Sequence, residues 1–199
     1  NGAGSYAAHS FFTDDEMERI QIAWDRNCSF GNAPVCGQMS VPYTVSLTER
    51  KDGYYLCASP VRELDALCCE THEYTDVTLS EENPLRAELE EGAYVLDLMF
   101  DGQKVHSDIR IDLFGQQILL ETSRNTIRVG TDTMPISVAA SKPEVKFIID
   151  KGSVEIFASG GKAIMTTPWT LNFNQCYAVF STDDKPAVID RIVLKKIVL

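Results

Sequence analysis

The sequence predicts an all-β fold of antiparallel strands, arranged as a sandwich or a barrel. Three observations lead there. Short runs of alternating apolar and polar residues recur along most of the 199 residues, the period of a half-buried strand. Turn-forming clusters such as Phe114-Gly115, Ser123-Arg124-Asn125, Lys151-Gly152 and Ser159-Gly160-Gly161 separate these runs every 8–15 residues. No internal repeat or low-complexity tract interrupts them.

The elements follow in chain order. Tyr6 to Phe12 is a short aromatic-rich run closed by the polar turn Thr13-Asp14-Asp15-Glu16. Ile20, Ile22 and Trp24 alternate with Gln21 and Ala23, a strand pattern. Asn27 to Pro34 reads as a loop, marked by Asn, Gly and Pro. Tyr43 to Leu47 alternates again, and Lys51-Asp52-Gly53 is a hairpin turn, because Asp-Gly tolerates the positive φ of tight turns. Tyr54 to Cys57 is the returning strand. Arg62 to Thr71 is charged and places Leu64, Leu67 and Cys68 at i, i+3 and i+4, a short helical face. With the turn at 79–84, this makes residues 62–92 a connector between two β units.

From Ala93 onward strands dominate, at 94–100, 108–113, 117–122, 126–129, 145–150, 153–157, 163–167, 176–180 and 187–194. Asp108, Arg110 and Asp112 alternate with Ile109, Ile111 and Leu113, so one face is polar and the other apolar. That fits antiparallel sheets with one solvated face. The same logic buries Ile109, Ile111, Leu119, Val145, Phe147, Ile149, Val154, Ile156 and Val179.

Composition narrows the function. Hydrophobic residues make up 44% of the chain, enough for a real core. No apolar run reaches the roughly 18 residues that a membrane-spanning helix needs, so no membrane association is expected. The net charge is −11, and residues 62–101 carry 12 acidic against 2 basic side chains. A surface of that sign repels phosphate backbones, which argues against nucleic acid as a partner. The six cysteines (28, 36, 57, 68, 69 and 176) form no repeating framework, and adjacent Cys68 and Cys69 would make a strained bridge. Free thiols, with no visible signal segment, favour a cytoplasmic setting. Cys68, Cys69 and His72 lie close in sequence, but no second Cys/His cluster completes a zinc set, so no metal is expected. No cofactor motif is present: glycines 152, 160 and 161 serve turns and do not form a phosphate-cradling loop.

Two stretches carry a family resemblance. Arg19-Ile20-Gln21-Ile22-Ala23-Trp24, then Gly37-Gln38-Met39-Ser40-Val41-Pro42, then Ser59-Pro60-Val61-Arg62-Glu63-Leu64 resemble "RRIxIGWM", "GxMSLPREL" and "QxPVxEL" at the end of the catalytic propeller in glycoside hydrolase family 32, the β-fructosidases. Downstream, Asp150-Lys151-Gly152-Ser153-Val154-Glu155-Ile156-Phe157 and Lys162-Ala163-Ile164-Met165-Thr166 are similar to the "DxSSVEVF...GxxxxT" of that family's C-terminal sandwich. The resemblance implies strands of an incomplete β-propeller blade over residues 1–61, the connector at 62–92, and a two-sheet, concanavalin-like antiparallel β-sandwich at 93–199, or from about residue 65. It implies a parent enzyme that releases terminal fructose from sucrose, levan or inulin with retention, without a cofactor. The implied partners are the fructoside or fructan, reached through the parent, and an N-terminal propeller domain or a second copy.

A retaining glycosidase needs two carboxylates roughly 5 Å apart. The family's "WMNDPNG", "RDP" and "EC" strings, which carry them, do not occur here, so no catalytic residue is expected in this chain. Two substrate contacts are implied instead. Trp24 matches the Trp that lines the sugar pocket, although the preceding Gly is Ala23, and Tyr6 matches the Tyr of "DFYAxxTF", although its Asp position is Ser5. Asp150 and Glu155 flank a tight turn and read as a turn-forming Asp and an outward-facing strand Glu. A module with its own sugar site is the alternative function, with Trp169, Phe173 and Tyr177 as its aromatics, and a purely structural β-sandwich is a further one.

Overall fold

In a computed structural model, residues 5–14, 17–29, 36–138 and 142–198 are described. They form three antiparallel sheets. The first contains β1 (Ser5–Phe12), β2 (Arg19–Ser29), β3 (Cys36–Met39), β4 (Tyr43–Arg50) and β5 (Gly53–Pro60). Its order is β1-β2-β4-β5, and the long β2 also pairs with the short β3. A 3-10 turn at Arg62–Leu67 then leads into the sandwich.

The remaining strands are β6 (Cys68–Leu79), β7 (Leu85–Glu88), β8 (Ala93–Met99), β9 (Ile109–Leu113), β10 (Gln116–Glu121), β11 (Thr126–Val129), β12 (Asp132–Pro135), β13 (Glu144–Ile149), β14 (Ser153–Ala158), β15 (Ala163–Pro168), β16 (Tyr177–Thr182) and β17 (Ala187–Ile197). They build two six-stranded sheets, β12-β11-β10-β9-β16-β7 and β15-β14-β13-β8-β17-β6. Neither sheet closes into a barrel, so the structure selects the sandwich. Among the described residues no helix is long and apolar enough to cross a membrane.

Alternation explains the core. Ile109, Ile111 and Leu113 of β9 are fully buried, while Arg110 and Asp112 between them are only half-buried. They join Ile118, Leu120 and Phe180 against Leu96, Leu98, Phe147, Ile149, Ile156 and Leu194 of the facing sheet. Eight of the nine expected core residues are buried. Val179 is the exception. Ala178 and Phe180 turn inward on β16, so Val179 faces outward and is half-buried. Its β-branched side chain suggested the core, but the phase of the strand puts the small alanine there. Leu119 is buried although it shares the outer face of its sheet with its ladder partners Arg110 and Arg128.

Three local readings change. The helical face read over 62–71 ends at Leu67. From Cys68 the chain is a strand, because β6 ladders against β17 from Cys68 to Leu79, and that pairing overrides helical spacing. Residues 62–92, expected as a connector, thereby supply one strand to each sandwich sheet. Residues 27–29, read as the start of a loop, belong to strand β2, which runs to Ser29; the rest of that reading, at 30–34, lies outside the described residues.

Candidate functional site: the two faces of the first sheet

Strand register divides the first sheet into two chemically different faces. Tyr6, Trp24 and Met39 are aligned across β1, β2 and β3, and so are Ser5, Asp25 and Gln38 in the next row. Successive residues alternate sides. One face therefore presents Tyr6, Trp24 and Met39 together with Ile20, Ile22 and Phe11. The other presents Ala23, Asp25, Gln38 and Tyr43.

The first of these faces is uncovered. Tyr6 is 61% exposed, Trp24 40%, Met39 58% and Phe11 52%, and Ile20 and Ile22 are half-buried. The structure brings the two expected sugar contacts together: the Tyr6 and Trp24 rings meet edge to face, with centroids 6.5 Å apart. The Arg26 guanidinium lies 5.7 Å from the Tyr6 ring. Gly37, at φ +89°, lets the β3 backbone pass against the indole. A Cβ there would overlap Trp24 Nε1 and lie 3.0 Å from Cε2, so this glycine is needed for the close approach as well as for the backbone angle.

The second face docks on the sandwich, over the outer side of β13, β14 and β8. Tyr43 and Ala58 pack with Val95, Ile148 and Phe157. The Tyr43 and Phe157 rings meet at 6.2 Å, and Gln21 Nε2 donates to the Tyr43 hydroxyl at 2.6 Å. The Ala58 amide donates to the Gly161 carbonyl at 2.9 Å, and Gln38 Nε2 donates to Ser153 Oγ. The Val41 amide donates to Glu155 Oε1 at 2.7 Å. Strand β14 is consequently buried on both sides. Val154, Ile156 and Ala158 enter the sandwich core, and Ser153, Glu155 and Phe157 meet the first sheet.

Glu155 points out of the sandwich core, as an outward-facing strand residue should, but the first sheet covers it and leaves it 3% exposed. Phe157, two residues on, was the available signal, because a large apolar side chain on an outer face marks a covered face. Asp150 does behave as a turn residue, exposed and accepting the Lys151 amide at 2.7 Å. Asp25, not singled out by any motif, is 2% exposed.

Three carboxylates are buried among the described residues. Glu121 has partners: Arg124 at 3.0 Å, Thr126 at 3.0 Å and Arg128 at 3.9 Å. Neither Asp25 nor Glu155 pairs with an arginine or lysine among the described residues. Neither Asp25 oxygen has a hydrogen-bond partner at standard distance among the described residues; burial pushes its carboxyl up, and the nearby Ser5 side chain and the amino terminus of the chain offset part of the rise. Burial pushes Glu155 up to about 8, with the Val41 amide lowering it and Asp25 adding to the rise. Both carboxyls are sealed behind the first sheet.

A cleft of about 460 Å³ opens beside the docked face, lined by Gln21, Tyr43, Leu56, Met134, Ser137 and Lys162 among others. The aromatics considered for a sandwich sugar site form no open platform. Trp169 is 3% exposed, Phe173 packs on the core and against Phe114, and the Arg86 guanidinium lies 3.9 Å from the centroid of the Tyr177 ring. Among the described residues, no group of three or more His, Cys, Asp or Glu side chains is arranged to hold a metal ion.

No protein-family model matches the chain. Curated relatives do. The levanase of Bacillus subtilis (strain 168) is 20% identical over 195 residues, which cover 83% of this chain and 29% of the levanase. The levanase of Bacillus sp. (strain L7) is 24% identical over 197 residues, 83% of this chain and 21% of the levanase. Among solved structures, the exo-inulinase of Aspergillus awamori superposes with a TM-score of 0.78 at 16% identity, covering 99% of this chain and 44% of the inulinase. The chain thus spans less than half the length of each. In fold it is similar to part of the glycoside hydrolase family 32 β-fructosidases, consistent with a C-terminal fragment of such a protein.

Proposed function

We propose that this chain is the non-catalytic C-terminal portion of a retaining β-fructosidase, a sandwich that supports the last blade of a catalytic propeller. The parent would release terminal fructose from sucrose, levan or inulin. The observation that carries this reading is the two-faced first sheet. Its inner face is fixed to the sandwich by the Tyr43–Phe157 contact and by backbone bonds at Ala58 and Val41. Its other face exposes an apolar row suited to a neighbouring blade, since blades in a propeller pack on both sides. Exposed apolar area of this kind marks an interaction surface. At the end of that row, Tyr6 and Trp24 offer aromatic faces to the apolar side of a sugar ring. The likeness to levanases and to an exo-inulinase supports a fructan as the parent's substrate.

The reading is tested on Ile22, in the middle of the row. In a polypeptide that also carries the propeller, Ile22→Lys should abolish fructose release from levan. In the present chain alone the same change should shift the unfolding free energy by no more than about 1 kcal/mol, as for a surface site. Full fructosidase activity in the propeller-bearing variant would refute the covered-face assignment. The alternative, a module with its own sugar site, calls for levan binding by the chain alone that is lost on changing Tyr177 or Phe173.

A further inference from the structure

The junction between the first sheet and the sandwich holds two buried carboxyls that face each other's elements with no arginine or lysine between them among the described residues. Asp25 stands on β2 beside Gln38, its ladder partner on β3. Gln38 bonds Ser153, which lies two residues before Glu155 on the same face of β14. Glu155 in turn takes the Val41 amide at the entry to β4. The titratable groups acting on Glu155 are Asp25 on β2, Tyr43 on β4, Asp150 at the β13–β14 turn and the amino terminus of the chain. The amino terminus lowers the Glu155 carboxyl, but burial outweighs it. On β13 and β15 its ladder neighbours are Ile148 and Thr166. None of the ion pairs among the described residues includes Asp25 or Glu155. A buried ion pair could have neutralised this spot, as Arg124 and Arg128 do at Glu121, but here no arginine or lysine reaches it.

We propose that Glu155, with Asp25 beside it, is a proton-operated latch between the first sheet and the sandwich: protonated, it lets the sheet lie closed on β14, and ionised, it loosens the junction.

The direction follows from linkage. In the docked state the Glu155 carboxyl holds its proton up to about 8, against an ordinary value of 4.5. Between those limits the undocked state has lost the proton and the docked state has kept it. Docking therefore weakens as pH rises through this window, by about tenfold in the docking equilibrium per pH unit at the limiting slope of one proton. Below the window both states are protonated, and above it both are ionised, so the dependence flattens at each end. Asp25 is pushed in the same direction and extends the effect at the acid end. Through the latch, pH would set how firmly the sandwich holds the sheet that presents Tyr6 and Trp24. This inference does not depend on what covers the opposite face of that sheet.

The test is hydrogen exchange on the full 199-residue chain between pH 5 and 9, with each rate corrected for the intrinsic pH dependence of exchange. Two amides report on docking: Val41, bonded to Glu155 itself, and Ala58, bonded to Gly161. Protection at both should fall by up to about tenfold per unit from pH 5 to pH 8 and then level off. In Glu155→Gln, which keeps an acceptor for the Val41 amide but cannot ionise, protection should be flat across the same range. A direct carbon-13 titration of the Glu155 carboxyl in the unaltered chain reads the proton even where that variant does not fold. Its midpoint should lie near 8 and should drop in Asp25→Asn. A midpoint in the ordinary carboxylate range, or equal pH dependence in the variant and the parent, would overturn the latch. So would protection at pH 9 that is restored by added calcium or magnesium and not by acid, since a metal cation would then be the neutralising group.

Discussion

Replacing Gly161 by alanine should undo the seam between the first sheet and the sandwich. Gly161 has φ +82°, and a Cβ there would overlap the Ala58 carbonyl oxygen and lie 2.8 Å from the Ala58 nitrogen. Both obstructing atoms are backbone, so no side-chain rotation relieves the overlap. The left-handed conformation alone costs a non-glycine residue about 1–2 kcal/mol. Forcing the strands apart breaks the Ala58–Gly161 hydrogen bond of 2.9 Å, about 1 kcal/mol. It also loosens the packing of Tyr43 on Phe157, an aromatic contact worth about 1 kcal/mol. The total is about 3–4 kcal/mol. Gly130→Ala is the control: φ is +56° and nothing lies within 4 Å of its Cβ, so it should show the conformational cost alone, about 1–2 kcal/mol. Urea unfolding of both variants measures the difference. If Gly161→Ala loses no more stability than Gly130→Ala, the seam is not closely packed and the docking described above is wrong.

Other consequences are simpler. Phe147→Ala removes a fully buried ring from the centre of the sandwich and should cost about 3–5 kcal/mol by urea unfolding; a loss under about 1 kcal/mol would mean that the two sheets do not close on it. A fragment beginning at Val61 should stay soluble and give the far-ultraviolet dichroism of a β-sheet protein, because the large core lies wholly downstream. It should unfold at lower urea than the full chain, since Phe157 and Ile148 lose their cover. An insoluble fragment beside a stable full chain would mean that the two parts share one core.

The fold class was legible because most strands have one face in the core and one in water. Alternation fails where that condition fails. Strand β14 reads as alternating, with Val154 and Ile156 inward, yet all of its residues are buried, because a second sheet lies on its outer face. A single-strand pattern carries no information about a partner arriving from more than a hundred positions away, as Val41 and Gln38 do. Strand β6 was missed for a related reason: its polar, acidic sequence is that of an outer strand paired on one side by β17, and only that pairing makes it a strand. Trp24 and Tyr6 were visible through the family resemblance, and the structure brings them together. Asp25 and Glu155 were not visible as a set, because what distinguishes them is burial without an arginine or lysine partner among the described residues, a property of the assembled junction.

Fructose release from levan, inulin and sucrose by the purified chain tests the central claim most directly. Among the described residues, the buried carboxyls near the first sheet, Asp25 and Glu155, are sealed from solvent, and the chemistry requires two that reach the sugar at roughly 5 Å from each other. No release above a heat-treated control is therefore expected. Release that exceeds the control and disappears in Glu155→Gln or Asp25→Asn would contradict the account, because it would place a working catalytic pair inside this chain.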